Sequence, residues 1–203
     1  MGIDIDPLET IEELRADSAK NKRNERLNGL VAVLVAVLAT FLGICNVKDD
    51  NVVQGMQAAQ ADKIDLWNFY QARNIREEIA LATIEQLTLA RSNRPENERA
   101  AYDASIAKYQ AIAKGQNTRK EDLKNQAEQA QKTYDTLNYR DDQFDLAEAA
   151  IAIAIALLAV TALTHLWWLF FLALVPSAFG FLMGLAGLFG WAFHPDVLIR
   201  PLT

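Results

Sequence analysis

The chain has 203 residues, a net charge of −6 and a hydrophobic fraction of 51%, an average that would suit a soluble domain. Its one cysteine, Cys45, excludes an intrachain disulfide and a multi-cysteine metal site and leaves only an intersubunit disulfide open. The average conceals segregation: charges are nearly absent from residues 27–45 and 146–193 and crowd everywhere else, which is the pattern of an integral membrane protein.

Residues 1–26 read as a cytoplasmic segment. Thr10 and Glu13 have capping-box spacing with Ile11 and Leu14 apolar, which suits a short helix, an unstructured acidic tail being the alternative. This region is long and partly acidic and no A-x-A site follows the apolar run, so the run reads as a retained anchor. In Leu42-Gly43-Ile44-Cys45 the residue before the cysteine is not small, against a lipoprotein cleavage box, and Asp6 stands where myristoylation of Gly2 needs Ser or Thr.

The first predicted transmembrane helix is 27–46. Arg15, Lys20, Lys22, Arg23 and Arg26 precede it, whereas the tail after the last span carries only Arg200, so the amino terminus is expected in the cytoplasm. Residues 47–143 then form an extramembrane insert rich in Ala, Gln, Glu, Lys and Leu, a helical composition. Ser92-Asn93-Arg94-Pro95-Glu96 breaks it near its middle, with Asn93 as a helix cap and Glu96 as its capping-box partner, so an antiparallel hairpin with its tip near 92–96 is expected.

On the return arm Tyr102, Ile106, Tyr109 and Ala113, then Leu123, Ala127, Ala130, Tyr134 and Leu137, alternate spacings of four and three, as a coiled-coil seam does. The seam is interrupted at Gln116 and Lys120. Gly115 and the capping-box pattern Thr118-Arg119-Lys120-Glu121 predict a kink there, a full turn being the alternative. The outgoing arm is apolar on several sides: Ile64, Trp67, Ile75, Ile79, Ala82 and Leu89 share one, Leu66, Tyr70 and Ile84 another, Phe69, Ala80 and Leu87 a third. One partner helix cannot cover all of these, which points to subunits packed around the arm, with a compact monomeric bundle as the plainer reading.

The second apolar block, about 48 residues at ~1.5 Å rise each, is long enough for two passes, predicted as 144–164 and 167–193 with a link near Thr164 and His165 and a tail at 194–203. Three crossings put the hairpin and the carboxyl terminus outside, in periplasm or lumen. Ser177, Gly180, Gly184, Gly187 and Gly190 in span three, with Ala152, Ala156 and Ala159 in span two, form small-residue helix-packing surfaces, within one subunit or between subunits; Pro176 is expected to kink span three.

Asp49, Asp50, Asp141, Asp142, Asp145 and Glu148 fall at the outer ends of spans one and two. Repeated around an oligomer they would make an acidic mouth for cations; otherwise they are solvated boundary residues, with Asp49 and Asp50 as helix caps and Glu148 snorkelling or paired with Arg140. His165 and His194 lie at opposite faces in this topology and cannot share a metal, and Trp167, Trp168 and Trp191 sit at span ends as an aromatic belt does. No phosphate loop, zinc spacing or Ser/His/Asp combination is found, so no cofactor, metal or catalytic residue is expected.

In Asn46-Val47-Lys48-Asp49 through Gln54, Gln57-Ala58-Ala59-Gln60-Ala61-Asp62-Lys63, Leu66-Trp67-Asn68-Phe69-Tyr70-Gln71-Ala72-Arg73-Asn74-Ile75-Arg76, Phe144-Asp145-Leu146-Ala147-Glu148-Ala149 and the Gly-rich third span, the chain resembles domain-of-unknown-function family 4337. The resemblance runs from about Leu27 to Trp191 and implies a bacterial three-span protein with a helical insert, in an inner or thylakoid membrane; it supplies no activity. Basic residues common in the family between spans two and three are missing here.

The expected architecture is all-α: three transmembrane helices with a long antiparallel hairpin between the first and second. The expected function is a non-enzymatic, homo-oligomeric membrane scaffold or docking protein, with Ile64, Trp67, Tyr70, Ile75, Ile79, Leu123 and Tyr134 as hairpin or oligomer contacts. An oligomeric cation channel with an acidic mouth at Asp49, Asp50, Asp145 and Glu148 is the first alternative, and an accessory subunit of a larger membrane complex the second. The expected partners are the lipid bilayer, further copies of the chain and other membrane proteins, and not nucleic acid.

Overall fold

The computed structural model describes residues 7–191, all of whose regular structure is helical. The predicted tail at 194–203, with His194 and Arg200, lies outside the described residues, as do Gly2, Asp6 and the side chains of Thr10 and Glu13. Three helices follow in order: α1 Pro7–Ser92, α2 Glu96–Thr164 and α3 Trp167–Phe189. Each contains a window long and apolar enough to cross a membrane.

The first departure from expectation is continuity. The amino-terminal segment, the first apolar run and the outgoing arm are one helix of 86 residues, and the return arm and second apolar run are one helix of 69. Between Pro7 and Ser92 there is no internal proline, and Gly29, Gly43 and Gly55 each cost only about 1 kcal/mol in a helix interior, too little to break one. Asp49 and Asp50 are therefore interior helical residues and not caps. Nor does Gly115 interrupt α2: Thr118 donates its hydroxyl to the Lys114 carbonyl, a bond within a continuing helix and not a new cap.

The turn between α1 and α2 is three residues long. Ser92 Oγ donates to Leu89 O at 2.7 Å, Asn93 N to Ala90 O at 3.3 Å and Arg94 N to Arg91 O at 3.1 Å, so the last carbonyls of α1 are satisfied locally. The Asn93 amide also reaches back toward Leu89 O at 3.5 Å, closing α1 where it was expected to open α2. Pro95 sits just before α2, its carbonyl accepting from Glu98 N at 3.0 Å.

The chain divides into two compact units, Met1–Val52 with Tyr139–Thr203, and Val53–Asn138. The second is the antiparallel pairing of the two arms. Half-buried or buried positions on α2 fall at Tyr102, Ile106, Tyr109, Ala113, Gln116, Lys120, Leu123, Ala127, Ala130, Tyr134 and Leu137, one unbroken seam of 3.5-residue period. Its polar members have partners: Arg73 Nη1 donates to Gln116 Oε1 at 3.1 Å, and Lys120 Nζ donates to Asn74 Oδ1 at 3.1 Å and to Glu77 Oε2 at 2.5 Å. What the sequence suggested was a gap in the seam is its polar clamp.

In the first unit the apolar runs pack through small residues. Leu27, Val31, Leu38, Phe41 and Cys45 of α1 are buried, as are Phe144, Leu146, Ala147, Ala150, Ile151, Ala154 and Leu158 of α2. The buried alanines of α2 in this unit are thus Ala147, Ala150 and Ala154, while Ala152 and Ala156, expected in the packing surface, are exposed. Buried hydroxyls are satisfied within their own helices, Thr161 by Leu157 O at 2.8 Å and Ser177 by Ala173 O at 2.7 Å. Helix α3 passes through Pro176 and is capped by Gly190, whose φ of 67° favours a residue without a Cβ; Trp191 N donates to Ala186 O at 2.9 Å to complete the cap.

The link between α2 and α3 is tighter. His165 N donates to Thr161 O at 2.8 Å with His165 at φ 54°, a left-handed conformation that costs a non-glycine residue about 1–2 kcal/mol. Outward faces of this unit are as apolar as its interior: Val33, Val37, Ile44, Leu163, Phe171 and Val175 are all exposed, Leu163 by 84%. A continuous apolar exterior of this kind is unfavourable in water and natural against lipid.

Candidate functional site

Within the hairpin unit, α1 turns two different faces outward and inward. Leu66, Tyr70, Arg73, Glu77, Ala80, Ile84 and Leu87 form its seam against α2, with the Trp67 and Tyr70 rings edge to face at 5.2 Å between centroids. At about 100° per residue, Ile64, Ile75, Ile79 and Leu89 fall on the opposite side of the helix. They are 50%, 59%, 59% and 62% exposed. Of the expected contacts, Tyr70, Leu123 and Tyr134 thus belong to the hairpin seam and Trp67 borders it, while Ile64, Ile75 and Ile79 have no cover among the described residues. Beside Ile64 a cavity of about 410 Å³, lined by Val53, Met56, Ala61 and Tyr134 among others, opens on the same unit.

The clamp holding the seam is electrostatic and nearly dry. The side chains of Lys120 and Glu77 are only 13% and 12% exposed. Glu77 also accepts from Asn117 Nδ2 at 3.0 Å, and Lys120 lies over the Tyr70 ring at 6.0 Å. The hydrogen bond from Lys120, then that from Asn117, holds the Glu77 carboxyl below its ordinary value; the same bond from the other side raises Lys120. Farther along, Lys63 Nζ donates to Gln131 Oε1 at 2.8 Å, and Arg91 pairs with Asp103 near the tip. As one partner of these pairs advances along the chain the other recedes, so they fix both antiparallel direction and register.

The acidic residues lie in the other unit. Asp49 of α1 meets Asp141 of α2: their carboxyl groups share a hydrogen bond, and Asp49 Oδ1 is buried without a partner. Burial, then the charges of Asp141 and Asp145, push Asp49 up to about 6, and burial with the neighbouring Asp142 raises Asp141. Two carboxyls this close titrate as a coupled pair, so the cluster gains protons at a higher pH than isolated carboxylates do. Asp50, Asp145 and Glu148 are exposed. Among the described residues no ion pair joins Glu148 to Arg140, whose guanidinium lies against Gly190, so the expected Arg140 partnership is replaced by a contact at the end of α3.

Small residues of α3 are occupied inside the subunit. A Cβ on Gly180 would meet the Ala147 carbonyl at 3.0 Å and Ile151 Cγ1 at 2.8 Å, one on Gly184 the Phe41 ring and Cys45, and one on Gly187 the Phe144 ring. Ser177 is buried in the same face. Gly190, expected in this surface, serves instead as the cap. Of the two packings the spacing allowed, within one chain or between copies, the contacts at Gly180, Gly184 and Gly187 are of the first kind; spacing alone does not say which helix approaches.

No group of three or more His, Cys, Asp or Glu among the described residues is placed to hold a metal ion. A family model, Domain of unknown function (DUF4337), matches residues 27–190, and neither a curated protein nor a solved structure matches the chain. The chain belongs to the DUF4337 family.

Proposed function

We propose that this member of the DUF4337 family is a non-enzymatic membrane scaffold in which copies of the chain associate through the outer face of the hairpin. The observation that carries the reading is the stripe Ile64, Ile75, Ile79 and Leu89, apolar, exposed and on the side of α1 away from α2. It extends over about seven turns, roughly 38 Å at 1.5 Å per residue. An uncovered stripe of that length on a helix is normally covered by another helix. The glycine face of α3 is not available for this purpose, being filled by Phe41, Phe144 and Ile151 of the same chain.

Insertion in a bilayer is the setting for this reading, supported by three membrane-length apolar helices and the apolar exterior of the unit that contains them. The basic residues before the first span favour a cytoplasmic amino terminus, with the hairpin on the other side of a bacterial inner or thylakoid membrane. An acidic cation-channel mouth has exposed Asp50, Asp145 and Glu148 in its favour, while Asp49 and Asp141 are half-buried against each other and turn less charge outward.

Particle mass in mild detergents and in nanodiscs tests the assembly. The wild type should exceed one copy, and Ile75→Glu with Ile79→Glu should reduce it, because each buried apolar side chain contributes about 1.5–3 kcal/mol. A wild type that is monomeric in every such medium would remove the basis for a homo-oligomer.

A further inference from the structure

A second cavity lies in the other unit and is unlike the first in chemistry. About 680 Å³ in volume, it is lined by Lys20, Arg23 and Asn24 from α1 and by Thr164, His165 and Leu166 from the end of α2 and the link to α3. No acidic side chain lines it. Two fixed positive charges, an amide and a hydroxyl thus converge on one opening. The start of α3 adds to them: Leu166 precedes the helix without a side-chain cap, and Leu169 N is the first of its amides bonded inward, to Leu166 O at 3.1 Å. The unspent amides of a 23-residue helix carry its partial positive charge to the same place.

Two further observations concern the side chains at and beside it. His165 Nδ1 and Trp167 Nε1 are buried, and neither has a hydrogen-bond partner. The Arg23 guanidinium, although exposed, stands over the Trp167 ring at 6.0 Å, which favours its position beside the opening. His165 itself is held at φ 54°. The left-handed His165 and the two cations of α1 thus line one cavity, with no acidic side chain among its lining residues.

We propose that this cavity, between Lys20 and Arg23 of α1 and His165 at the α2–α3 link, binds the phosphate group of an anionic ligand. Arg23 and Lys20 supply charge-assisted hydrogen bonds to its oxygens, and the positive end of α3, which begins after the lining residue Leu166, adds attraction. Asn24 is placed to orient the ester or hydroxyl portion, and Thr164, whose hydroxyl donates to Val160 O at 2.8 Å, offers it an acceptor. A lipid headgroup and a free phosphate offer the same chemistry. Exposed Leu163, Leu166 and Trp168 beside the cavity provide an apolar rim that acyl chains would cover. The lipid source rests on the bilayer reading above; the phosphate site itself does not.

The full chain is reconstituted in nanodiscs of phosphatidylcholine with and without phosphatidylglycerol, and native mass spectrometry counts the lipids retained. Inorganic phosphate is titrated separately against the thermal midpoint of detergent-solubilised protein. Phosphatidylglycerol should be retained over phosphatidylcholine, and Arg23→Gln or Lys20→Gln should weaken retention by about tenfold. Lys22→Gln, on the same helix but outside the cavity, should retain it as the wild type does, and unchanged midpoints in pure phosphatidylcholine show that the variants are folded. If inorganic phosphate alone raises the midpoint, and only with Arg23 present, the site stands and its ligand comes from solution. Equal retention of both lipids with no phosphate effect overturns the proposal, as does an equal loss in Lys22→Gln and Arg23→Gln. Oligomer mass in the same nanodiscs reports on the scaffold reading independently.

Discussion

Alanine at Gly184 and alanine at Gly43 should change stability in opposite directions. Both glycines sit inside helices, where replacement by alanine ordinarily stabilises by about 0.5–1 kcal/mol. At Gly43 a Cβ meets nothing within 4 Å, so that gain is realised. At Gly184 it would stand 2.6 and 2.8 Å from two atoms of the Phe41 ring and 2.9 Å from Cys45 Sγ. Carbon atoms in ordinary contact are about 3.5–4.0 Å apart, so the ring must retreat by roughly 1 Å. It has little freedom to do so, since it also packs against the Phe181 ring, 4.4 Å away between centroids and tilted by 39°. Overpacking of this degree costs about 1–3 kcal/mol, leaving a net loss on the order of 1 kcal/mol after the helix gain. Unfolding in mixed micelles by rising dodecyl sulfate measures both variants, and Phe41→Leu in the Gly184→Ala background should restore part of the loss. If Gly184→Ala stabilises as Gly43→Ala does, the close approach of α3 to α1 described here is wrong.

Two further predictions follow from the charged groups. Glu77 is held below its ordinary value of 4.5, so its contribution is complete above that value and disappears as pH falls through the lower folded value; the gap in thermal midpoint between wild type and Glu77→Gln should close on acidification and stay constant from pH 6 to 8. Asp49 behaves oppositely. Its folded value is raised from 3.8 to about 6, so stability from its bound proton is complete below 3.8 and is lost as pH rises through about 6; Asp49→Asn should therefore gain on the wild type across that window and keep a constant lead above it, read from paired melts between pH 4 and 8.

The helical class and the return-arm seam were legible because a 3.5-residue period survives wherever apolar residues mark it, at Tyr102 through Ala113 and again at Leu123 through Leu137. Its apparent interruption was not, because the partners of Gln116 and Lys120 are Arg73 and Glu77, remote in sequence and themselves charged. For the same reason the outgoing arm showed three apolar patches with nothing to select the one that meets α2: that face contains Lys63, Arg73 and Glu77, and apolar periodicity passes over them. Span two is so rich in alanine that Ala152 and Ala154 looked alike, although one is exposed and the other buried. The left-handed turn at His165 has no glycine to announce it, and the cavity beside it joins residues from near both ends of the chain.

The three-residue tip gives the hairpin a rule for changing size. One residue added to either arm would rotate everything beyond it by about 100°, moving Lys120 away from Glu77 and Gln116 away from Arg73. Seven residues added to both arms at the same height would return every pair to its partner, because two turns of a supercoiled helix bring the same face back. Relatives with longer or shorter hairpins should therefore differ by matched heptads, and the reach of the arms should be quantised in steps of about 10 Å.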